Sequence, residues 1–92
     1  MKQIQPVQIW INGQVKEGSW LNAYIINDNL SSSATFYWSI LADGSEPDTA
    51  GEQLSEGNST IDGENYIIWG EASDINLAAY QWIASQLGLT LI

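Results

Sequence analysis

The dipeptide Asn12–Gly13 separates two runs of strand-forming residues near the start of the chain. In a two-residue turn of type I′ both central residues need positive φ, and asparagine followed by glycine adopts that conformation most readily. We therefore expect Val7–Ile11 and Gln14–Lys16 to form an antiparallel hairpin. Gly18, just beyond the return strand, is expected to mark a bulge or a kink.

Three further stretches have the composition of strands. Trp20–Ile26 is rich in aromatic and β-branched residues and ends at a turn-forming segment. Thr35–Leu41 alternates, and its larger apolar side chains, including Phe36 and Trp38, fall on one face. Gln53–Ile61 is more polar, so we expect it to form an edge strand.

The C-terminal quarter has the periodicity of a helix. Ser73 or Asp74 can cap its start, and Gly88 lies where helices commonly end in the left-handed conformation. One face carries apolar side chains at the spacing i, i+3, i+4, i+7, namely Tyr80, Ile83, Ala84 and Leu87. The sequence therefore predicts a single α+β domain over residues 1–92. Its sheet is expected to have three or four antiparallel strands, an N-terminal hairpin followed by a meander, with one C-terminal helix packed on a face.

The composition argues against an enzyme. Cysteine, histidine and arginine are all absent, which removes thiolate metal ligands, the usual general base and bidentate binding of phosphate. The remaining catalytic candidates are paired carboxylates, Asp43 with Glu46 or Asp62 with Glu64. We interpret these as loop residues that keep an apolar chain in solution. No catalytic residue, metal site, cofactor or small-molecule substrate is therefore expected.

Two oxygen-rich loops leave calcium binding open as a question. Asp43–Asp48 and Asn27–Asn29 carry the ligand types that calcium prefers. Neither segment has the spacing of an EF-hand loop, and the same residues are common in ordinary turns.

The negative charge is confined to one part of the chain. The net charge is −9, and the segments 1–42 and 75–92 each sum to zero, so the whole excess lies between Asp43 and Asp74. With only two basic residues, direct binding to a nucleic-acid backbone is not expected. The acidic segment instead motivates an alternative hypothesis, a DNA-mimic inhibitor of a host nucleic-acid-binding protein. The uncharged segment 75–92 is interrupted by polar residues and is too short for a membrane span, so no membrane partner is expected.

Aromatic residues are numerous, with five tryptophans and four tyrosines. Trp38 and Trp82 lie on apolar stripes and are expected in the core. Trp10, Trp20 and Trp69 lie near turns or off such stripes, so we predict that they contribute to a partner-binding surface. Because such rings also stack on sugars, a small carbohydrate-binding β module is a further alternative.

The last residues of the chain are apolar and uncharged. Leu89, Leu91 and Ile92 are predicted to be partner-binding residues, because an apolar β-like segment is unstable in water. The segment is expected to pair either with the sheet of its own domain or with the sheet edge of a neighbour.

Four stretches of turn and packing residues occur together in this chain. They are Lys2–Trp10 followed by Asn12–Gly13, Tyr24–Leu30, Gly57–Tyr66 with Trp69, and Tyr80–Ala84. In this combination the chain resembles short structural or accessory proteins of tailed bacteriophages. The resemblance implies a non-enzymatic, virion-associated or assembly role through protein–protein contacts, in particles produced in the bacterial host cytoplasm. Together with the apolar helix, the surplus tryptophans and the apolar C-terminus, it leads us to expect other virion proteins or copies of the same chain, as a homo-oligomer, as partners. No binding residue is carried over from it.

Overall fold

The computed structural model describes residues 1–92 and places four strands in one antiparallel sheet. The strands are β1 (Lys2–Ile11), β2 (Gln14–Asp28), β3 (Ser33–Asp43) and β4 (Ala50–Asp62). They lie side by side in chain order, so the predicted hairpin and meander are confirmed, with four strands. β4 forms one edge of the sheet, as the polar composition of its sequence predicts.

The first hairpin closes at the predicted turn. Asn12 and Gly13 both have positive φ, 48° and 82°, and Ile11 pairs with Gln14 across them. The return strand is longer than expected, because residues 14–28 form one continuous strand. The irregularity in this pairing lies between the pairs Gln3–Trp20 and Val7–Gly18, so it adjoins Gly18, and its extra residues are in β1.

The prediction of one C-terminal helix is wrong, because two helices follow the sheet. They are α1 (Gly63–Gly70) and α2 (Ile75–Leu87). α1 escapes sequence analysis because it has only eight residues, begins and ends with glycine, and contains the β-branched Ile67 and Ile68. Its inward side chains, Tyr66 and Trp69, are three positions apart, so they share a face and pack against the core.

α2 begins and ends where its sequence predicts. The Asp74 carboxylate accepts a hydrogen bond from the Leu77 amide at 3.0 Å, as an N-cap does. Gly88 has φ 71° and forms a left-handed C-cap, with its amide donating to the Ala84 carbonyl. Both ends are thus satisfied locally, which explains why they were predictable from a few residues.

The core forms where one face of the sheet meets α2. Phe36 lies at its centre, 2% exposed, with Trp69 edge-on at 5.3 Å and Trp82 at 6.1 Å between ring centroids. The other buried sheet residues of this layer are Ile4, Leu21, Ala34, Ile40 and Ile61, and α2 supplies Ala79, Tyr80, Ile83 and Ala84. Burying each of the larger side chains stabilises the fold by about 1.5–3 kcal/mol.

Trp38 and Trp82 pack against this core but remain half-buried. The Trp38 ring covers Gly57 on the neighbouring strand, and its indole N–H donates to the Ser59 hydroxyl at 3.2 Å. The buried indole nitrogen of Trp82 has no hydrogen-bond partner. Trp82 therefore contributes through the packing of its ring.

The C-terminal segment pairs with its own sheet. The Gln5 amide donates to the Thr90 carbonyl at 2.8 Å, and the Ile92 amide donates to the Gln3 carbonyl at 3.0 Å. Leu91 lies opposite Ile4, which is fully buried. Of the two possibilities that the sequence leaves open, the structure has the intramolecular one, and it covers the outer edge of β1.

Neither helix has the length and apolar character that crossing a membrane requires.

Because Leu91 docks intramolecularly, we predict that Leu91→Asp destabilises the isolated chain. A carboxylate against Ile4 lacks a partner, so the free energy of unfolding should fall by about 1–3 kcal/mol. Ile92→Asp is the matched control, since Ile92 is 74% exposed and should change it by less than about 0.5 kcal/mol. Urea unfolding measures both. Equal midpoints for Leu91→Asp and the unaltered chain would contradict the docking.

Gly57 leaves no room for a side chain. An added Cβ would lie 2.6 Å from the Trp38 ring, so Gly57→Ala should destabilise the fold by about 1–3 kcal/mol. Gly70 lies at the end of α1 with open space around it. Gly70→Ala should therefore be neutral or stabilise by about 0.5–1 kcal/mol. Thermal unfolding of the two variants tests the contrast, and a neutral Gly57→Ala would be the contrary outcome.

Candidate protein-contact site

β2 extends well beyond the strand that pairs with its outer edge. Pairing with β1 ends where Lys2 lies opposite Leu21, whereas β2 continues to Asp28. Residues 22–28 therefore have β3 on one side and no strand on the other. Such an edge presents backbone N–H and C=O groups that can bond to another chain.

A cavity of about 320 Å³ opens beside this edge, between the end of β2 and the first turns of α2. Eight of its ten lining residues are hydrophobic, which makes it suited to an apolar side chain. The walls include Ala23 and Ile25 from β2, Ile75 and Ala79 from α2, and Phe36 and Trp69 deeper in the fold. We call the free edge of residues 22–28 together with this cavity the β2 edge groove.

Hydrogen bonds hold the walls of the groove in place. The Tyr80 hydroxyl accepts from the Ala23 amide at 3.2 Å, which ties α2 to the free edge at that residue. The Trp69 indole N–H donates to the Ile75 carbonyl at 2.9 Å and fixes the start of α2 against α1. The groove is thus largely pre-formed, as most binding sites are.

Asp28 closes one end of the groove and links three elements. Its Oδ1 atom accepts from the Tyr66 hydroxyl of α1 at 2.8 Å and from the Leu30 amide in the following turn at 2.8 Å. The hydrogen bond from Tyr66 raises the pKa of that tyrosine above its ordinary value, because the phenol must stay protonated to donate.

The rim of the groove is apolar and exposed. Ile25 is 44% exposed, Ile26 is 51% exposed and Ile75 is 49% exposed. Clustered exposed aliphatic side chains of this kind are characteristic of interaction sites, whereas isolated ones are ordinary. The clustering makes this region the strongest candidate for a partner surface.

The residues predicted from sequence are dispersed over the molecule. Trp69 lies in the groove wall, half-buried against Phe36. Trp10 is 71% exposed, but it lies near the first hairpin turn, at the opposite end of the sheet. Trp20 is half-buried and its indole N–H donates to the Asp43 carboxylate at 3.0 Å.

The remaining predicted residues belong to the C-terminal segment. Leu89 and Leu91 pack against the core, while Ile92 is mostly exposed beside β1. The structure therefore brings only Trp69 of the predicted set into the groove.

Ile25, Ile26 and Ile75 are not among the site residues that the sequence predicts. One signal was available, because Gly18–Asn27 contains no charged residue and is apolar on both faces near its end. Recognising the exposed edge also requires knowing that β1 ends opposite Leu21. That register depends on tertiary structure, so local sequence patterns do not contain it.

The face of the sheet opposite the helices carries a second polar and aromatic arrangement. Tyr24 and Tyr37 pack with ring centroids 5.2 Å apart. The Tyr37 hydroxyl and the Gln53 amide both donate to the same carboxylate oxygen of Glu56. This hydrogen bond to Glu56 raises the pKa of Tyr37 above its ordinary value.

The carboxylates do not converge on a common centre. No group of three or more acidic side chains that could hold a metal ion occurs in the structure. Asn27 and Asp28 are the last residues of β2, and Asn29 begins the following turn, in which its side-chain oxygen accepts from the amides of Ser31, Ser32 and Ser33.

High pH should destabilise the fold through Tyr37 and Tyr66. Their folded-state pKa values lie above the unfolded-state value of about 10. Their stabilising contribution is therefore fully present below about pH 10 and is lost as the pH rises through the folded-state values. Circular dichroism recorded as the pH is raised measures this loss of stability.

One variant distinguishes the titration of Tyr37 from that of Tyr66. Glu56→Gln removes the carboxylate that accepts from Tyr37, so the pKa of Tyr37 should fall toward its ordinary value while that of Tyr66 stays raised. Tyrosinate absorbance during titration reports both groups, and Tyr66→Phe identifies the second step. An unchanged titration curve in Glu56→Gln would show that the carboxylate does not hold the Tyr37 proton.

Comparison with known proteins gives no relative for this chain: no family model matches it, and neither a curated protein sequence nor a solved structure does.

Proposed function

We propose that the chain is a non-enzymatic, virion-associated structural or accessory protein of a tailed bacteriophage that acts through protein–protein contacts. The role in protein–protein contacts is inferred from the β2 edge groove. It combines an unpaired strand edge, an apolar cavity and an exposed aliphatic rim within one region of a small domain. Strand edges and apolar grooves are the two features that proteins use most often to bind extended or helical segments of a partner.

The proposed assignment to a phage particle rests on a resemblance to short phage structural proteins. The residues that carry it are Lys2–Trp10, Tyr24–Leu30, Gly57–Tyr66 and Tyr80–Ala84. Tyr24–Leu30 supplies one wall of the groove, and Tyr80–Ala84 supplies the core-facing turns of α2. The proposed location is the phage particle, after synthesis in the bacterial cytoplasm. The proposed partners are other virion proteins or further copies of this chain.

The non-enzymatic part of the proposal is supported by side-chain chemistry. The sequence contains no histidine, cysteine or arginine, and the groove holds a single carboxylate, Asp28. That carboxylate already accepts hydrogen bonds from Tyr66 and Leu30. Its position is that of a structural link between α1 and β2.

The experiment compares two isoleucine-to-aspartate variants in phage particles. Ile75→Asp places a charge on the groove rim at the first residue of α2, where an acidic side chain is compatible with the helix. Ile67→Asp is the matched control, because Ile67 is similarly exposed on α1 and lies outside the groove. Quantitative mass spectrometry of purified, salt-washed particles measures the copies retained.

We expect the unaltered chain and Ile67→Asp to be retained equally, and Ile75→Asp to fall by roughly tenfold or more, as for a central contact residue. Absence of the unaltered chain from assembling and mature particles would overturn the virion role. Equal retention of both variants would place the contact elsewhere on the domain.

A carbohydrate-binding role has one specific observation in its favour. Tyr24 and Tyr37 form an aromatic pair on the uncovered face of the sheet, beside the hydrogen-bonding groups of Gln53 and Glu56. Aromatic rings flanked by amides and carboxylates are suited to stacking on sugars. Quenching of tyrosine and tryptophan fluorescence by host cell-surface polysaccharide, lost in Tyr24→Ala, would support this second candidate.

A further inference from the structure

The free part of β2 has few of the features that normally protect a strand edge, namely Asp28 at its end and the irregularity between Ile25 and Asn27. Edge strands usually carry lysine, proline or a covering loop. Gly18–Asn27 contains neither charge nor proline. One edge amide is occupied, that of Ala23, which donates to the Tyr80 hydroxyl. Backbone groups alternate in direction along a strand, so those of Ile25 point the same way as Ala23, and no side chain bonds them.

We infer that a second copy of this chain occupies this edge, pairing antiparallel over Tyr24–Asn27 about a two-fold axis. The two four-stranded sheets would then form one sheet of eight strands, with α2 of both copies on the same face. This inference rests on the proposed function in so far as both assign a protein contact to the β2 edge groove.

The structure restricts the register of such a pair. β1 occupies the outer edge of β2 up to Leu21, and the Tyr80 hydroxyl occupies it at Ala23, so pairing begins at Tyr24. Tyr24 pairs with Tyr37 and Asn27 pairs with Thr35, so both lie on the uncovered face of the sheet. Two-fold pairing over residues 24–27 places Tyr24 opposite Asn27 of the other copy, and this register meets the requirement that opposed residues share a face.

In that register Ile25 lies opposite Ile26 of the partner copy. An irregularity between Ile25 and Asn27 leaves Ile26 without a partner in β3. Both isoleucines are about half exposed in the single chain, and the dimer buries them against each other at the axis. The groove of each copy, with Ile75 on its rim, lies directly beside this contact.

Charge complementarity supports a second copy over an unrelated segment. Lys2 and Lys16 are the only basic residues, and Lys16 is bound by Glu52 at 2.7 Å. Lys2 stands where β1 ends opposite Leu21, and Asp28 directly follows the pairing segment.

The symmetric register brings Asp28 of one copy beside Lys2 of the other. Leu21 and Ala34, the strand partners of Lys2 and Asp28, both face the core, so the two side chains project on the same face. β1 of one copy and β2 of the other lie end to end along the same edge of β2. Along this line Lys2 and Asp28 are two positions apart, about 7 Å between Cα atoms, which a lysine side chain can span. The two-fold axis makes this contact twice.

The acidic residues of the β3–β4 turn do not oppose this arrangement. Trp20 pairs with Leu41 and Asp43 pairs with Ala50, so the turn lies at the end of the sheet away from residues 24–27. In the dimer the two acidic turns lie at opposite ends of the joined sheet. A single neutral segment that is complementary to itself about an axis is what a two-fold interface requires.

The first test is the molar mass of the purified chain by sedimentation equilibrium over a range of concentrations. The unaltered chain should reach twice its 10.1 kDa mass. Ile26→Lys should raise the dimer dissociation constant roughly tenfold or more, because a lysine on the pairing edge disfavours strand addition. Val15→Lys is the matched control: it lies on the same strand, is similarly exposed and is already paired with β1. It should leave the constant unchanged.

Circular dichroism establishes that both variants are folded. A chain that stays monomeric at all concentrations, or equal weakening by Ile26→Lys and Val15→Lys, would overturn the inference. Hydrogen exchange gives an independent readout, since amides of residues 24–27 should gain protection as the concentration rises, while those of the first hairpin should not.

The experiments distinguish failure of the proposed dimer from failure of the proposed virion role. A monomer that is still incorporated into particles through Ile75 would overturn the dimer and leave the virion role standing. A chain that dimerises but is absent from particles would overturn the virion role and leave the dimer standing. Lys2→Glu adds a third readout, because it should weaken the dimer in a salt-dependent way without altering the groove.

Discussion

The helix layer of this protein is too short for its sheet, and that mismatch determines the rest of the surface. α2 has 13 residues and is therefore about 20 Å long, whereas the domain extends 41 Å along its longest axis. A single helix can cover only the middle of the sheet, around Phe36 and Leu21. The first hairpin with Trp10 remains uncovered, and at the free end of β2 the helices leave the rim of the groove exposed. The exposure of Trp10, Ile25 and Ile26 follows from this geometry.

Aromatic side chains extend the thin core where the helix does not reach. Trp69 and Tyr66 of α1 pack beside Phe36, and the Tyr66 hydroxyl reaches Asp28 on β2. Each ring provides a large apolar area together with one polar group that finds a partner, which suits positions at the border of a core. The surplus of tryptophan and tyrosine therefore has a structural use at several positions. The abundance of these residues alone does not distinguish a partner surface from the rim of a small core, because the same chemistry serves both.

Sequence analysis recovered the features that a few neighbouring residues determine. The Asn12–Gly13 turn and the two ends of α2 at Asp74 and Gly88 each depend on local backbone conformation and on one or two hydrogen bonds. α1 was missed, because an eight-residue helix with adjacent isoleucines owes its stability to the contacts of Tyr66 and Trp69 with the core. The groove was missed for a similar reason. It exists because β1 ends opposite Leu21, and the relative register of two strands is a property of the whole sheet.

The charged residues are also distributed unevenly over the surface. The acidic excess begins at Asp43. The β3–β4 turn carries Asp43, Glu46 and Asp48 at the end of the sheet remote from the free β2 edge, whereas Asp62, Glu64, Glu71 and Asp74 come at or after the last β3–β4 pair at the other end. Copies of a chain with net charge −9 repel one another except where their neutral regions meet. Residues 22–27 of the free β2 edge are uncharged, and apart from the Ala23 amide their outward backbone groups have no strand partner. Repulsion thus disfavours contacts between the uncovered sheet faces, where Glu56 lies, relative to contacts over the uncharged residues 22–27. The negative charge that gives the chain its low isoelectric point consequently restricts how it can assemble, in addition to keeping an apolar surface in solution.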